Sequence, residues 1–363
     1  MKTPNILKPK LLLLTGAGFS IEFMRHNNRK LNTDFLTKLL IDSRLFSEYT
    51  TILCTGQTDD IARLNTIQKL CSTVFDTLNQ ADLSYLNFEH VIYGLECLLT
   101  PNTSENEPTE IEIIIQELLS GIKSGEFNWQ YIYALKSFVL DVVRLFQKND
   151  DEDVIGHFKR QLNKSYTTHH FTLNYDDLFV TNTDISNYYP KSNYEIEHHM
   201  IDVKSYFLHG SVYFWRGETL GVGNKEVASD NRKGLLNSKS YFNAIGNTTD
   251  KSFYDPLIIG ISKRMKLENN GYKHMFEKFK TTIREVDELL IVGYSFNDEH
   301  INEVLMQIDN TSLSKITIVD KKEECDAAKF EEIVTSHLNP DSIDIEFHLK
   351  GAGDFIDKWI TKE

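Results

Sequence analysis

The stretch Leu11-Leu12-Leu13-Leu14-Thr15-Gly16-Ala17-Gly18-Phe19-Ser20 decides how the chain is read. A short apolar run that stops at small residues and passes into a helix describes a buried strand followed by a tight turn. The first backbone N–H groups of such a helix lack intrahelical partners, so a pyrophosphate can accept hydrogen bonds from them. Ile21 stands where the fingerprint of hydride-transfer dinucleotide enzymes needs a third glycine. Gly16-Ala17-Gly18 by itself therefore marks a nucleotide turn without naming a chemistry.

Working outward, the pattern changes twice. From Asp34 to Leu145 apolar residues recur at helical spacing, as in Phe35, Leu36, Leu39 and Leu40, in Ile111 to Ile122, and in Tyr131 to Phe146. Pro101 to Thr109 and Asn149 to Asp153 read as polar links. From His169 onward short apolar strands alternate with helical stretches. The strands are His170 to Leu173, Ser205 to Leu208, Pro256 to Ile259, Glu288 to Val292, Lys315 to Val319 and Ile343 to Leu349, with helices over Met275 to Val286 and Asp298 to Ile308. Near-continuous apolar strands separated by helices predict a parallel sheet covered on both faces. The expected fold is α/β, a Rossmann-like doubly wound parallel sheet from residues 1–33 and 166–363, with a large all-helical insertion over 34–165. The polar segment between Leu220 and Asp250 reads as a long loop or lid.

Composition narrows the function classes. The 363 residues carry 39 Lys and Arg against 53 Asp and Glu, a net charge of −14, which opposes tight binding to a phosphate backbone. No direct nucleic-acid binding is expected. The basic start at Met1-Lys2 is followed by an apolar run too short for a signal peptide, and no run approaches the roughly 18 residues of a membrane span. A cytoplasmic location is expected. Cys54, Cys71, Cys97 and Cys325 form no Cys-x-x-Cys pair, which excludes a zinc ribbon and leaves reduced, packed thiols.

In an open α/β sheet ligands bind beyond the carboxyl ends of the strands, and the residues there are polar. Asn174-Tyr175-Asp176-Asp177 follows Leu173, His209-Gly210 follows Leu208, Gly293-Tyr294-Ser295-Phe296-Asn297-Asp298 follows Val292, and Asp320 follows Val319. Singly, each suits a turn or a helix cap. Together and in this order, with Gly16 to Ser20 ahead of them, they resemble the sirtuin superfamily, and within it the sirtuin-type NAD-hydrolysing domains of bacterial anti-phage defence systems. Gly351-Ala352-Gly353-Asp354 resembles the family's adenine-contacting turn, and Asn87-Phe88-Glu89 is a looser match inside the helical region.

Two departures matter. Protein deacylases of the family carry four zinc-binding cysteines and a Gly-Ile-Pro-Asp-Phe-Arg segment; this chain has neither, and Leu31-Asn32-Thr33-Asp34 stands at the segment's place. Peptide deacylation is put in doubt, and the resemblance implies instead that NAD+ is the substrate, cleaved to nicotinamide and ADP-ribose with no metal. Nicotinamide leaves as a neutral ring from a cationic one, so the glycosidic bond can break through an oxocarbenium-like transition state without a general acid. A base near neutral pKa is needed, and His209 fits it. Asn174 would hold water and a ribose hydroxyl, and Asp176 would orient the ribose or Asn174, or stabilise the developing positive charge.

A core histidine at a strand end is the alternative for His209, and the pairs His169-His170 and His198-His199 are weaker candidates because neighbours on a strand face opposite ways. Gly16, Ala17, Gly18, Phe19 and Ser20 are expected at the pyrophosphate, and Gly293, Ser295, Asp298 and Gly353 at the adenosine side. Asp320 is either a ribose-binding acid or a helix cap. Tyr294 and Phe296 are expected to pack. The resemblance further implies a homo-oligomer and a partner such as a HerA-like ATPase and DNA translocase, or a short Argonaute. A non-catalytic subunit sensing NAD or ADP-ribose is the competing reading, and a nuclease or other metal-dependent hydrolase is disfavoured for want of a carboxylate cluster with ligand spacing.

Overall fold

The computed structural model describes residues 8–54, 58–80, 86–99, 110–120, 127–148, 152–176, 178–179, 205–210, 257–259, 270–308, 312–338 and 343–361. In chain order the elements begin β1 (Lys10–Thr15), α1 (Ala17–Phe23), β2 (Met24–His26), β3 (Arg29–Lys30), α2 (Thr33–Ile41), α3 (Ser43–Leu53) and α4 (Thr58–Asn79). There follow α5 (Phe88–Leu99), α6 (Glu110–Leu119), α7 (Trp129–Leu145), β4 (Gln147–Lys148), α8 (Glu152–Ser165), β5 (Thr167–Thr172) and β6 (Ser205–Phe207). The last are α9 (Asn270–Ile283), β7 (Glu288–Val292), α10 (Glu299–Met306), β8 (Lys315–Val319), α11 (Glu324–His337), β9 (Asp344–His348) and α12 (Ala352–Thr361).

Two compact units emerge, one from Met1–Lys30, Gln147–His209 and Asn270–Glu363, the other from Leu31–Phe146 and Gly210–Asn269. In the first, six strands form a sheet in the order β6-β5-β1-β7-β8-β9, and every pairing is parallel. Numbered by their occurrence in the sheet this is 3-2-1-4-5-6, the doubly wound Rossmann order, so the α/β reading holds. Leu12, Leu13 and Leu14 are 0% exposed because β1 is a central strand with covered faces, which is why its sequence runs apolar rather than alternating. The chain winds from β1 towards β6 and then returns to β7 on the other side, so the switch point lies between β1 and β7.

Residues 34–165 are not wholly helical. Gln147–Lys148 pairs with β2 in a small antiparallel sheet of order β3-β2-β4, and α8 packs on β5 and α12 within the sheet-bearing unit. Two-residue strands carry no periodicity that a sequence pattern could reveal. The expected strand over Pro256 to Ile259 is reduced, in its described part, to a bridge between Leu257 and Gly210. The 220–250 segment, His198-His199, Asp177 and the Pro101 to Thr109 link lie outside the described residues.

The helical unit is built from α2 to α7. One residue, Asp42, ends α2 and caps α3, accepting from the N–H groups of Arg44 (2.9 Å) and Leu45 (3.1 Å). Gln68 and Ser72 of α4 donate to the Ile41 carbonyl at 3.0 and 2.9 Å, satisfying the end of α2. Phe46 meets Phe138 at 4.8 Å between ring centroids, and Phe35 meets Phe146 at 5.0 Å. Lys136 is fully buried and donates to Glu96 at 2.6 Å, a pairing that offsets the cost of removing both charges from water. Burial, with Asp60 and Asp141 nearby, pushes the Cys54 thiol up to about 12, and burial raises that of Cys71 as well. Both behave as packing groups rather than nucleophiles.

Candidate active site

Gly16 and Gly18 are explained first by packing. The Gly16 N–H donates to Val292 O and the Gly18 N–H to Gly293 O, each at 2.9 Å, so the turn after β1 is laced to the turn after β7. A Cβ on Gly16 would stand 2.5 Å from Gly293 O, and one on Gly18 2.8 Å from Gly293 Cα. Only glycine allows this approach at the switch point. The expectation that all of these amides meet a pyrophosphate is corrected accordingly: Gly16, Gly18 and also Phe19, which donates to Gly16 O at 2.9 Å, spend their N–H groups on the fold. Ala17 opens α1.

Beside this turn three predicted residues form one hydrogen-bonded chain. β5 runs parallel to β1 with Thr15 opposite Thr172, which delivers Asn174 beside Gly16. The Asn174 N–H donates to Thr172 Oγ1 at 3.0 Å, and its Nδ2 donates to Gly16 O at 2.9 Å and to Ser20 Oγ at 2.8 Å. Ser20 Oγ donates in turn to Asp176 Oδ2 at 2.5 Å, while Asp176 Oδ1 accepts from the Leu178 N–H at 3.0 Å. All three side chains are buried. Both Nδ2 hydrogens of Asn174 are engaged, so its Oδ1 is the group that can meet a water or hydroxyl. The Ser20 proton belongs to Asp176, which corrects the expectation that Ser20 donates to a phosphate.

His209 lies at the same end of the sheet. β6 pairs with β5, and the Leu208 N–H donates to Thr172 O at 2.9 Å, one residue before the imidazole. Its Nε2 faces Asp298 Oδ2 at 3.2 Å, and both side chains are buried. Since β5 and β1 lie between β6 and β7, this pair joins elements from either side of the two central strands. Asp298, expected at the adenosine side, is thus a partner of His209. It is also the cap of α10, accepting through Oδ1 from His300 N–H at 3.1 Å and Ile301 N–H at 3.4 Å.

The turn carrying Asp298 is tightly held. Gly293 has φ +68° and Phe296 φ +60°, a left-handed conformation that is unusual for a bulky side chain. Asn302 Nδ2 donates to Phe296 O at 2.7 Å and fixes it. Tyr294 donates its hydroxyl to Asn302 Oδ1 at 2.8 Å with Asp298 O at 3.0 Å, and burial together with Asp298 holds the phenol far above its ordinary value. Tyr294 and Phe296 pack on each other at 4.7 Å, and Phe296 meets Phe330 and His337 of α11. Ser295 is exposed.

The remaining candidates sit near β8 and β9. Asp320 accepts from the Lys321 N–H at 2.7 Å and pairs with Lys322 at 3.1 Å, while its carbonyl accepts from the Gly351 N–H at 2.9 Å. The Gly353 N–H donates to Glu22 Oε2 at 2.5 Å, so a carboxylate of α1 occupies the start of α12. Glu22 carried no sequence signal because its partner is 331 residues away. His170 is a strut: its Nε2 meets Thr15 Oγ1 and its Nδ1 meets Ser205 Oγ, both at 2.9 Å. Burial, Lys278 and Lys10 lower the pKa of His169. Among the described residues the groups spaced to hold a cation reduce to Glu323, Cys325 and Asp326, all exposed at the start of α11.

A doubly wound sheet with glycines at its switch point and polar side chains at its strand ends is a Rossmann-like arrangement, the class of fold in which ligands bind beyond the carboxyl ends of the strands. Residues 168–336 match the family model of the SIR2-like domain, which places Asn174, Asp176, His209, Gly293, Asp298 and Asp320 inside the match. SIR2-like domains use NAD+ as substrate. No curated protein matches the chain.

Proposed function

We propose that this protein is an NAD+ glycohydrolase that cleaves the nicotinamide–ribose bond to give nicotinamide and ADP-ribose. The observation that carries the reading is the convergence, at one end of the sheet, of Asn174, Ser20 and Asp176 in one hydrogen-bonded chain with a carboxylate-held His209 on the adjoining strand. Asp176 and Ser20 fix the rotamer of Asn174, whose Oδ1 positions the attacking water. His209 accepts the water's proton as the new C–O bond forms and the C–N bond to nicotinamide breaks, the electron pair neutralising the departing ring. The Gly16–Ser20 turn contacts the pyrophosphate on the Ala17 side, with Ser295, Asp320 and the 351–353 turn towards the adenosine.

The wider role that fits is depletion of NAD+ by a cytoplasmic, homo-oligomeric defence effector. Its activation would come from a partner such as a HerA-like ATPase and DNA translocase, or a short Argonaute, since the chain's own charge of −14 does not favour nucleic acid. Among the described residues no helix is long and apolar enough to cross a membrane.

Asn174→Ala is expected to lower nicotinamide release by roughly 100-fold or more, because a misplaced water loses the advantage of position. Chromatography of nicotinamide and ADP-ribose checks this, with circular dichroism to show that the fold survives. Turnover within a few fold of the parent would remove Asn174 from the mechanism. Binding of NAD+ without any turnover in the parent protein would favour the sensing subunit instead.

A further inference from the structure

We propose that Asp298 is the positioning residue of the site, holding His209 as the tautomer protonated on Nε2 so that Nδ1 is the nitrogen that accepts the proton. This rests on the NAD+-hydrolase reading for its consequence in rate, though not for its geometry. The carboxylate is divided: Oδ1 takes the His300 and Ile301 N–H groups of α10, and Oδ2 stands 3.2 Å from His209 Nε2. An ionised carboxylate only accepts, so the nitrogen facing it carries the hydrogen. The neutral ring's lone pair is then on Nδ1.

What orients Asp298 is also visible. Its carbonyl lies 3.0 Å from the Tyr294 hydroxyl, and its N–H donates to that hydroxyl at 3.3 Å. Asn302, one turn into α10, anchors the same hydroxyl and the Phe296 carbonyl. The helix cap, the tyrosine and the left-handed Phe296 therefore set the direction of one carboxylate oxygen, and that oxygen sets the ring. A residue needed only as a cap would not have to be charged, since asparagine caps as well as aspartate.

That equivalence supplies the test. In Asp298→Asn the amide oxygen must stay on the His300 and Ile301 N–H groups to keep the cap, which turns the NH2 towards His209 Nε2. A donor at that place makes Nε2 an acceptor and moves the ring proton to Nδ1. The full chain would be labelled with 15N-histidine, and the His209 signals assigned by difference from His209→Gln. In the parent, Nε2 is expected to resonate as a protonated nitrogen and Nδ1 as an unprotonated one, with the two exchanged in Asp298→Asn.

With NAD+ as substrate, kcat is expected to fall about 100-fold or more while KM stays within about threefold and Tm within a few degrees. Asp298→Ala, which also loses the cap, should add a clear drop in Tm. A parent that turns over NAD+ beside an Asp298→Asn variant with kcat within threefold overturns the proposal, as does an unchanged tautomer in the variant. If the parent shows no turnover, the hydrolase reading fails on its own, and the tautomer exchange still decides the role of Asp298. Should Asp298→Asn fail to fold, the parent spectrum decides: an unprotonated Nε2 overturns the assignment and a protonated one supports it.

Discussion

His209→Ala is expected to cut NAD+ cleavage by about 10²- to 10⁴-fold, the range lost when a positioned general base is removed. The effect should fall on kcat, because nothing in the proposed role gives the imidazole a share in ground-state binding. The fold should persist, since the ring hangs two residues beyond the end of β6 and Asp298 retains its cap on α10 when the imidazole is gone. Initial rates of nicotinamide release at saturating NAD+, with thermal melts in parallel, make the comparison. A variant with near-parental kcat would return His209 to the role of a core histidine and leave the site without its base.

Gly293→Ala is expected to destabilise the protein by roughly 2–5 kcal/mol, adding the cost of a left-handed residue to that of overpacking. Gly293 has φ +68°, and an added Cβ would lie 2.7 Å from Gly18 Cα and closer still to the Phe19 backbone nitrogen. Backbone cannot step aside as a flexible side chain can. The turns after β1 and β7 would separate, breaking the Gly18 N–H to Gly293 O bond and shifting Ser20 and Asn174 with α1. Loss of activity should therefore accompany the loss of stability. Urea unfolding of parent and variant measures the difference, and a midpoint unchanged by the alanine would show that the two turns tolerate a wider gap than their contacts imply.

The sheet was legible because central parallel strands bury both faces and so read as unbroken apolar runs: Glu288 to Val292 and Lys315 to Val319 coincide with β7 and β8. Strand ends were less legible, as with Thr167–Thr172, where polar Thr167 and Thr168 pair with Lys10 and Leu11 of β1 although they look like a loop. The small sheet of β2, β3 and β4 was invisible, since strands of two or three residues have no period. At the site, local residue types pointed to Asn174, Asp176 and His209, because polar residues directly after buried strands gather at one sheet edge. Their couplings could not be read.

Asp298 lies 89 positions from His209 in sequence, and as a helix-capping type in a Gly-Tyr-Ser-Phe-Asn-Asp turn it looks ordinary. The glycines carried an ambiguity of another kind. The same residue that lets backbone approach a pyrophosphate lets backbone approach backbone, and between Gly16, Gly18 and Gly293 it does the second.

The most direct test is to incubate the purified full chain with NAD+, alone and with the proposed HerA-like or Argonaute partner, and to follow the nicotinamide and ADP-ribose proton signals over time. Hydrolysis predicts that both products appear in equal amounts as NAD+ disappears, and that His209→Ala leaves NAD+ intact. NAD+ that stays whole while the parent protein binds it would contradict the hydrolase reading.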